Sequence, residues 1–334
     1  TPIPEGAIRY NTDSNKMEVW IGDKWMIVAT SSPSEGVRGV FMGGFRDQPV
    51  NNTTFDTIDY ITISSAGDAI DFGDLNAKLF DGASNISSST RQFAYMGRQG
   101  PSFSASNEIK FITYSSTGDS TDFGDSTSSL FYRPSGLSNS TRGIRGGGSN
   151  SPSTGGVNVI DFITMAAEGN AVDFGDLATA KLRYGGGIAS PTRGLFLWGN
   201  SHPAAVNIIE FVTIATTGNA TDFGDLLASS GAGAAGNATR GIIGANDGSF
   251  IQSLQMATLG TATKFGSLST TRSNLNAASS PTRVVFVGGV ISPNTYSNIM
   301  DYVSIQTEGQ AVDFGDLTVN RHTDNAGSNA HGGL

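Results

Sequence analysis

The sequence predicts an all-β fold in which six similar sheets follow one another and close into a ring. Three observations predict it: a composition that favours strands and turns, a pair of markers that recurs six times, and alternating strands between the markers. The 334-residue chain holds 44 Gly and only 15% charged residues, with abundant Ser, Thr and Asn. Gly, β-branched and small polar residues are poor helix formers, and this mixture suits an all-β protein rich in turns.

The first marker is an Arg that precedes each Gly- or Val-rich strand: Arg38, Arg91, Arg142, Arg193, Arg240 and Arg283. The second is the Phe of a "DFGD" stretch: Phe72, Phe123, Phe174, Phe223, Phe265 and Phe314. Both return at intervals of about 50 residues, the length of one β-propeller blade. The tripeptide Asp-Phe-Gly would hold magnesium in a protein kinase. A catalytic motif appears once per active site, however, and the chain has neither a Gly-rich phosphate loop joined to a strand Lys nor an "HRD" segment. A regularly repeated motif is architecture.

Residues 1–36 stand outside the repeat. In "PEGAIRYNTDSNKMEVWIGDKWMIVAT" (Pro4–Thr30), Ile8 and Tyr10 alternate, "NTDSN" turns, "KMEVW" alternates back, "GD" turns again and "KWMIV" finishes. This predicts a three-stranded β-meander. Its Tyr10, Trp20 and Trp25 supply an aromatic cluster, but so short a module is small for independent stability, so it is expected to pack on the repeats or on a partner chain. The start at Thr1, without Met, is what a processed or trimmed product would show.

Residues 37–334 hold six units with starts near 38, 91, 142, 193, 240 and 283. Each opens with a short apolar strand such as "GVFMGG" (Gly39–Gly44) or "VVFVGG" (Val284–Gly289). A variable polar loop follows, then an alternating strand such as "IDYITI" (Ile58–Ile63) or "IEFVTI" (Ile209–Ile214). A turn with Gly, which reaches positive φ cheaply, leads into the "A-x-D-F-G-D-L" strand. A Gly/Ala/Ser-rich segment then runs to the next Arg. Small side chains fit the innermost position of a blade, where sheets converge on a central channel. The first unit lacks such a segment and the last runs on into "TVNRHTDNAGSNAHGGL". The C-terminal segment is therefore expected to supply the inner strand of the first blade and remove the open edge.

The order of a "GG"-closed strand and two aromatic-bearing strands resembles a kelch blade, with Phe where kelch usually has Trp. The expected fold is thus a six-bladed kelch-like β-propeller. The pattern carried by Gly6, Ile8, Arg9, Tyr10, Asn11, Thr12, Asp13, Glu18, Trp20, Gly22 and Trp25 looks like a module of structural proteins of tailed bacteriophages, fibres and appendages above all. The "TRGVF-GG…IDYITI…DFGDL" repeat also resembles repeat proteins of marine phages, cyanophages included. These resemblances imply a virion structural protein.

Net charge is −9 with no basic run, which argues against a nucleic-acid partner. Without Cys there is neither a disulfide nor a thiolate metal site, and no apolar stretch is long enough for a transmembrane helix. The "DFGD" aspartates could in principle meet a hard cation, but Asp-x-x-Asp alone lacks the ligand density, so capping of turns or pairing with the recurring Arg is the expectation. In the fifth unit Lys264 and Ser267 replace Asp while Arg240 and Phe265 are kept. The recurring Arg is read as structural, bonding loop carbonyls or a neighbouring carboxylate. His202, His322 and His331 have no metal-ligand spacing. No cofactor, metal or catalytic residue is expected.

What varies is the loop after each first strand: 45–57, 98–107, 149–158, 200–207 and 290–298. These loops should share one face, and they present Phe45, Phe55, Phe103 and Tyr296 among Asn, Ser and Thr. Loops on a rigid scaffold commonly carry recognition, and this mixture suits sugar binding as well as plain solvation. The expected function is a non-enzymatic virion protein of fibre or appendage, attached through residues 1–36 and presenting the propeller to the host surface, with homo-oligomers such as trimers compatible. The alternatives are a capsid-decorating head protein, a propeller glycan-processing enzyme and a cellular interaction scaffold.

Overall fold

A computed structural model describes residues 2–11, 16–27, 36–47, 53–83, 85–100, 103–151, 156–181, 186–197, 200–201, 204–228, 231–245, 249–291 and 295–334. The described residues form strands and turns and contain no helix. The chain divides into two compact units, Thr1–Gly36 and Val37–Leu334.

The first unit is an antiparallel three-stranded sheet of Ile8–Asn11, Lys16–Ile21 and Lys24–Ile27. Its register places Ile8 opposite Val19 and Val19 opposite Met26, whereas Arg9 faces Glu18 and Trp20 faces Trp25. Side chains alternate across a strand, so one face carries Ile8, Tyr10, Val19, Ile21 and Met26 with Lys24 at its edge, and the other carries Arg9, Glu18, Trp20 and Trp25.

The second unit repeats one design. Its third repeat is a four-stranded antiparallel sheet in the order Ser135–Ser138, Arg142–Gly146, Val157–Thr164, Val172–Lys181. The fourth and sixth repeats follow the same order, and the fifth adds a two-residue parallel strand, Gly309–Gln310, from the sixth. The first and second repeats are fused into one eight-stranded sheet through the hairpin strand Arg98–Gln99, which pairs with Leu79 and Phe80 on one side and with Ser104 and Ala105 on the other.

The small-residue segment takes the innermost place. In the first repeat that place is filled by the C-terminal strand Asn325–Ser328, which runs antiparallel to Arg38–Arg46 with Ser328 opposite Gly39. In the second repeat the segment makes only the isolated bridges Ala83–Tyr95 and Ser87–Gln92. Asn85 explains the break: its φ of 65° leaves the strand conformation, and its side-chain amide donates to the Gly187 and Ala234 carbonyls of the fourth and fifth repeats. Small residues are needed here because the inner strands nearly touch. A Cβ on Gly187 would stand 2.0 Å from the Gly136 oxygen. The segments leave a central cavity of about 20 Å³, room for roughly one water.

Apolar side chains gather between successive repeats. Phe72 and Leu79 of the first pack with Ala94, Met96 and Ile112 of the second. The same arrangement joins second to third, third to fourth, fourth to fifth and fifth to sixth. The sixth joins the first, where Val285, Met300 and Phe314 pack with Phe41, Ile61 and Ile63. Each buried Phe or Ile contributes about 1.5–3 kcal/mol relative to exposure.

Candidate functional site

The repeated markers are joints. Each recurring Arg donates to a backbone carbonyl at the end of the second strand of the next repeat: Arg91 to Met165 (3.3 Å), Arg142 to Ile214 (2.9 Å), Arg193 to Met256 (3.1 Å), Arg240 to Ile305 (3.1 Å), and Arg38 to Tyr114. Arg283 of the last repeat reaches Ile63 and Ser64 of the first (3.3 and 3.0 Å). The Phe-Gly-Asp backbone forms a second joint. The Phe174 carbonyl accepts from Gly218 (2.8 Å) and the Asp176 carbonyl from Ala220 (2.8 Å), and Phe314 and Asp316 hold Gly67 and Ala69 in the same way (2.7 and 2.8 Å). The motif needs Gly because a Cβ at Gly175 would lie 2.5 Å from the Gly218 oxygen, and its φ of 146° disfavours any side chain.

The first aspartates of the motif, such as Asp71 and Asp122, are exposed, and Lys110 pairs with Asp122 at 3.0 Å. The second contribute chiefly through their backbone: the Asp176 N–H donates to the Asn219 side chain (3.0 Å) and that of Asp316 to Asp68 (3.0 Å). Burial, and then the carboxylates of Asp56, Asp71 and Asp119, push the Asp74 carboxyl up. Among the described residues no group of three or more His, Asp or Glu could hold a metal ion.

A third set of joints was not singled out in the sequence. The residue just before the aromatic position of the second strand, a position that is Ser253 in the fifth repeat, is buried in every repeat: Asp59, Lys110, Asp161, Glu210, Gln252 and Asp301. Five of the six accept from the segment just after the preceding "DFGD". Asp161 accepts from the Thr127 N–H and hydroxyl (3.0 and 2.6 Å), Glu210 from the Ala178 and Thr179 N–H groups (3.1 and 3.2 Å), Gln252 from Leu227 (2.8 Å), and Asp301 from Ser269 (2.9 Å). Asp59 accepts from the Thr318 hydroxyl (2.6 Å) and pairs with buried Arg321 at 3.0 Å. Asp161 and Asp301 likewise pair with Arg145 and Arg272. The signal was present as an acidic or amide residue recurring between Ile and the aromatic position.

Against these joints stands one feature that occurs once among the described residues. Phe45 lies at the centre of an aromatic shelf. It stacks on Phe80 (4.4 Å, 19°), meets Phe103 and Tyr296 edge-on (6.5 and 6.3 Å), and lies 5.5 Å from the His322 ring. Phe45, Phe103 and Tyr296 are half-buried, while Phe80 and His322 are buried. The structure thus brings three of the four expected loop aromatics together. Phe55 packs elsewhere, with the Arg46 guanidinium 5.4 Å from its ring. Phe103 has a φ of 53°, uncommon for a bulky residue and costing about 1–3 kcal/mol. Parts of all five variable loops, and His202, lie outside the described residues.

Arg98 links the shelf to a buried ion network. Its guanidinium covers Phe80 at 4.0 Å and pairs with Asp81. Arg133 stands 3.7 Å from Asp81 and 2.5 Å from Asp324, whose Oδ1 is 3.3 Å from His322 Nε2. Burial, reinforced by Asp324, pushes the Asp81 carboxyl up. Burial alone would raise Asp324 too, but His322 and Arg133 more than offset it and hold that carboxyl down. Thr323 Oγ1 and Asp324 Oδ2 have no hydrogen-bond partner among the described residues. Among the described residues the arrangement presents three half-buried aromatic side chains beside a buried ion network.

His331 lies apart, near the central cavity. Its Nε2 is 2.8 Å from the Ser87 carbonyl oxygen, and its Nδ1 accepts from the Gly333 N–H (3.1 Å). Burial pushes the imidazole down to about 4. In the first unit Trp20 and Trp25 meet edge-on at 5.3 Å and Arg9 covers Trp25 at 4.2 Å. Hydrogen bonds from Asn11 and Arg9 hold the Glu18 carboxyl down, whereas Tyr10 is exposed. No known protein family's sequence profile matches the chain, and no curated protein sequence matches it.

Proposed function

We propose that Val37–Leu334 is a six-bladed, kelch-like β-propeller and that the protein is a non-enzymatic structural protein of a tailed-bacteriophage virion. In this reading a fibre or appendage presents the propeller to the host surface, where the loop face contacts a glycan. Support for the propeller comes from the cyclic pattern: cores, arginine bonds and backbone clasps each run from one repeat to the next and from the sixth to the first. The observation that carries recognition is the half-buried shelf of Phe45, Phe103 and Tyr296, where aromatic faces suit stacking against sugar rings. Thr1–Gly36 attaches to a neighbouring virion protein. Its apolar face leaves Ile8, Tyr10, Ile21 and Met26 between 44% and 65% exposed, and such patches commonly mark interfaces. Several copies per particle would raise avidity without tight single sites.

The test is immunogold labelling of purified particles with an antibody against Val37–Leu334. Label on the tail or its fibres, with adsorption blocked by free protein, is the expected result. Label spread over the head would replace host attachment with capsid decoration, and unlabelled particles would remove the virion reading.

A glycan-processing enzyme is the second reading, favoured by one observation. Asp81 and Asp324 are carboxylates shifted in opposite directions, as acid–base pairs are. It ranks behind because Asp81 is only 2% exposed and both carboxylates already have arginine partners. Release of reducing sugar from host polysaccharide, abolished in Asp81→Asn, would raise it to first place.

A further inference from the structure

Five repeats carry a ring on the second strand: Tyr60, Phe111, Phe162, Phe211 and Tyr302. In each, the recurring guanidinium lies over it, at 5.1, 4.8, 4.6, 4.9 and 4.7 Å. In each, the Phe of "DFGD" meets the ring edge-on, with centroids 5.8–6.0 Å apart and planes 76–82° from each other. The fifth repeat has Ser253 at this position, opposite Thr263 in the sheet. The flanking groups stay: Arg240 still donates to Ile305 (3.1 Å), and Phe265 is buried with Arg240 5.9 Å from its ring.

Beside Ser253 there is a cavity of about 140 Å³ lined by Arg240, Ser253, Leu259, Thr263 and Glu308, with Phe223 of the fourth repeat as its aromatic wall in place of Phe265. A closed apolar cavity of about 150 Å³ takes benzene; this one is open and more polar in its lining, but its similar volume leaves room for one six-membered ring. A second observation points to a ligand. The turn residue before Gly is Ala66, Thr117, Glu168, Thr217 and Glu308 in the other repeats, but Leu259 in the fifth. Leu259 lines the cavity and is 61% exposed, an apolar side chain held at its mouth.

We propose that this notch is a binding site for a single phenol-type ring, which completes the guanidinium-over-ring stack that the other five repeats make internally. Tyr60 and Tyr302 are the pattern for the occupant, and Glu308 supplies an acceptor for its hydroxyl. This site is separate from the shelf and does not rest on the proposed function.

The test is titration of the intact chain with p-cresol, followed by the NMR signals of Ser253, Leu259 and Thr263. Saturable shifts with a Kd of about 1 mM, within reach of so small a ligand, are expected. Ser253→Phe fills the notch with the protein's own ring and should weaken binding by at least about tenfold. Should that variant fail to fold, Leu259→Asp, at an exposed position, should weaken it by about threefold or more. A parallel titration with the peptide Gly-Tyr-Gly separates sources: its binding beside that of p-cresol assigns the site to a partner's tyrosine, and its exclusion assigns it to a free phenol. The proposal is overturned if p-cresol shows no saturable shift at these residues, or if neither substitution alters the shift.

Discussion

Around Val37–Leu334 the arginines and the Phe-Gly-Asp clasps meet the same kind of partner at each repeat, whereas the aromatic shelf draws Phe45 and Phe80 from the first repeat, Phe103 from the second, Tyr296 from the sixth and His322 from the C-terminal segment. The joints satisfy backbone groups that every repeat leaves open. Their chemistry is therefore fixed by the fold and can be copied. The shelf satisfies no repeated need, tolerates a strained residue at Phe103, and adjoins the Arg98–Asp81 and Arg133–Asp324 ion pairs. Repetition in this molecule reports on how it holds together, and departure from repetition is where the proposed recognition is placed.

The largest effect that would break this contrast lies at the clasp. Gly175→Val should lose at least about 3 kcal/mol, from steric overlap and backbone strain together. Gly169→Ala shares the positive φ, but its Cβ would meet open space, and it should lose only about 1–2 kcal/mol. Urea unfolding of both separates the contact from the conformation; equal losses would mean that the clasp holds little. Next come Arg142→Ala and Arg283→Ala, each expected to cost about 1–2 kcal/mol through a lost hydrogen bond and ring contact. Arg283 spans the sixth-to-first joint, so an effect near zero there alone would show that this joint is not held like the others.

A smaller effect comes from pH. His331 has its imidazole pKa lowered from 6.5 to about 4, so the unfolded chain binds the extra proton between those values. The stabilisation is complete above pH 6.5 and is lost as pH falls toward 4. Thermal unfolding at pH 7 and pH 5.5 should differ by about 1 kcal/mol more in the native protein than in His331→Gln. Smallest in stability is Phe103→Gly, where relief of the positive φ offsets the lost ring, for a net change within about 1 kcal/mol of zero. Retention on a host-glycan array should nevertheless fall by about tenfold; unchanged retention would remove the shelf from recognition.

The repeating parts were legible because each repeat states them again. The Arg, the Phe, the small inner strand and the need for a C-terminal inner strand in the first repeat all follow from period and residue size. The buried belt of Asp59, Asp161, Glu210, Gln252 and Asp301 was not singled out, since a polar residue alternating with Ile normally faces water. Here both faces of a sheet are covered by neighbouring repeats, so that residue is buried and bonds across the joint. Lys110 shows the logic by exception. A lysine cannot accept, and the Asn76 N–H turns instead to the Ser120 hydroxyl (3.2 Å). The shelf was half legible. Phe45, Phe103 and Tyr296 stand in variable loops, but Phe80 and His322 follow no period and join only through the tertiary fold. The "DFGD" carboxylates misled in another way, because the clasp uses the backbone, which a residue name does not disclose.

The pairing of Asn325–Ser328 with Arg38–Arg46 also has a consequence for synthesis. A chain emerging from the ribosome exposes the first repeat's inner edge while the following repeats are still being made. That edge stays open to other strands until Asn325–Ser328 has been made and can pair with it. Closure thus waits for the sixth repeat and the strand after it, and a stalled or nicked chain ending before Asn325 would carry a long-lived adhesive edge to its neighbours.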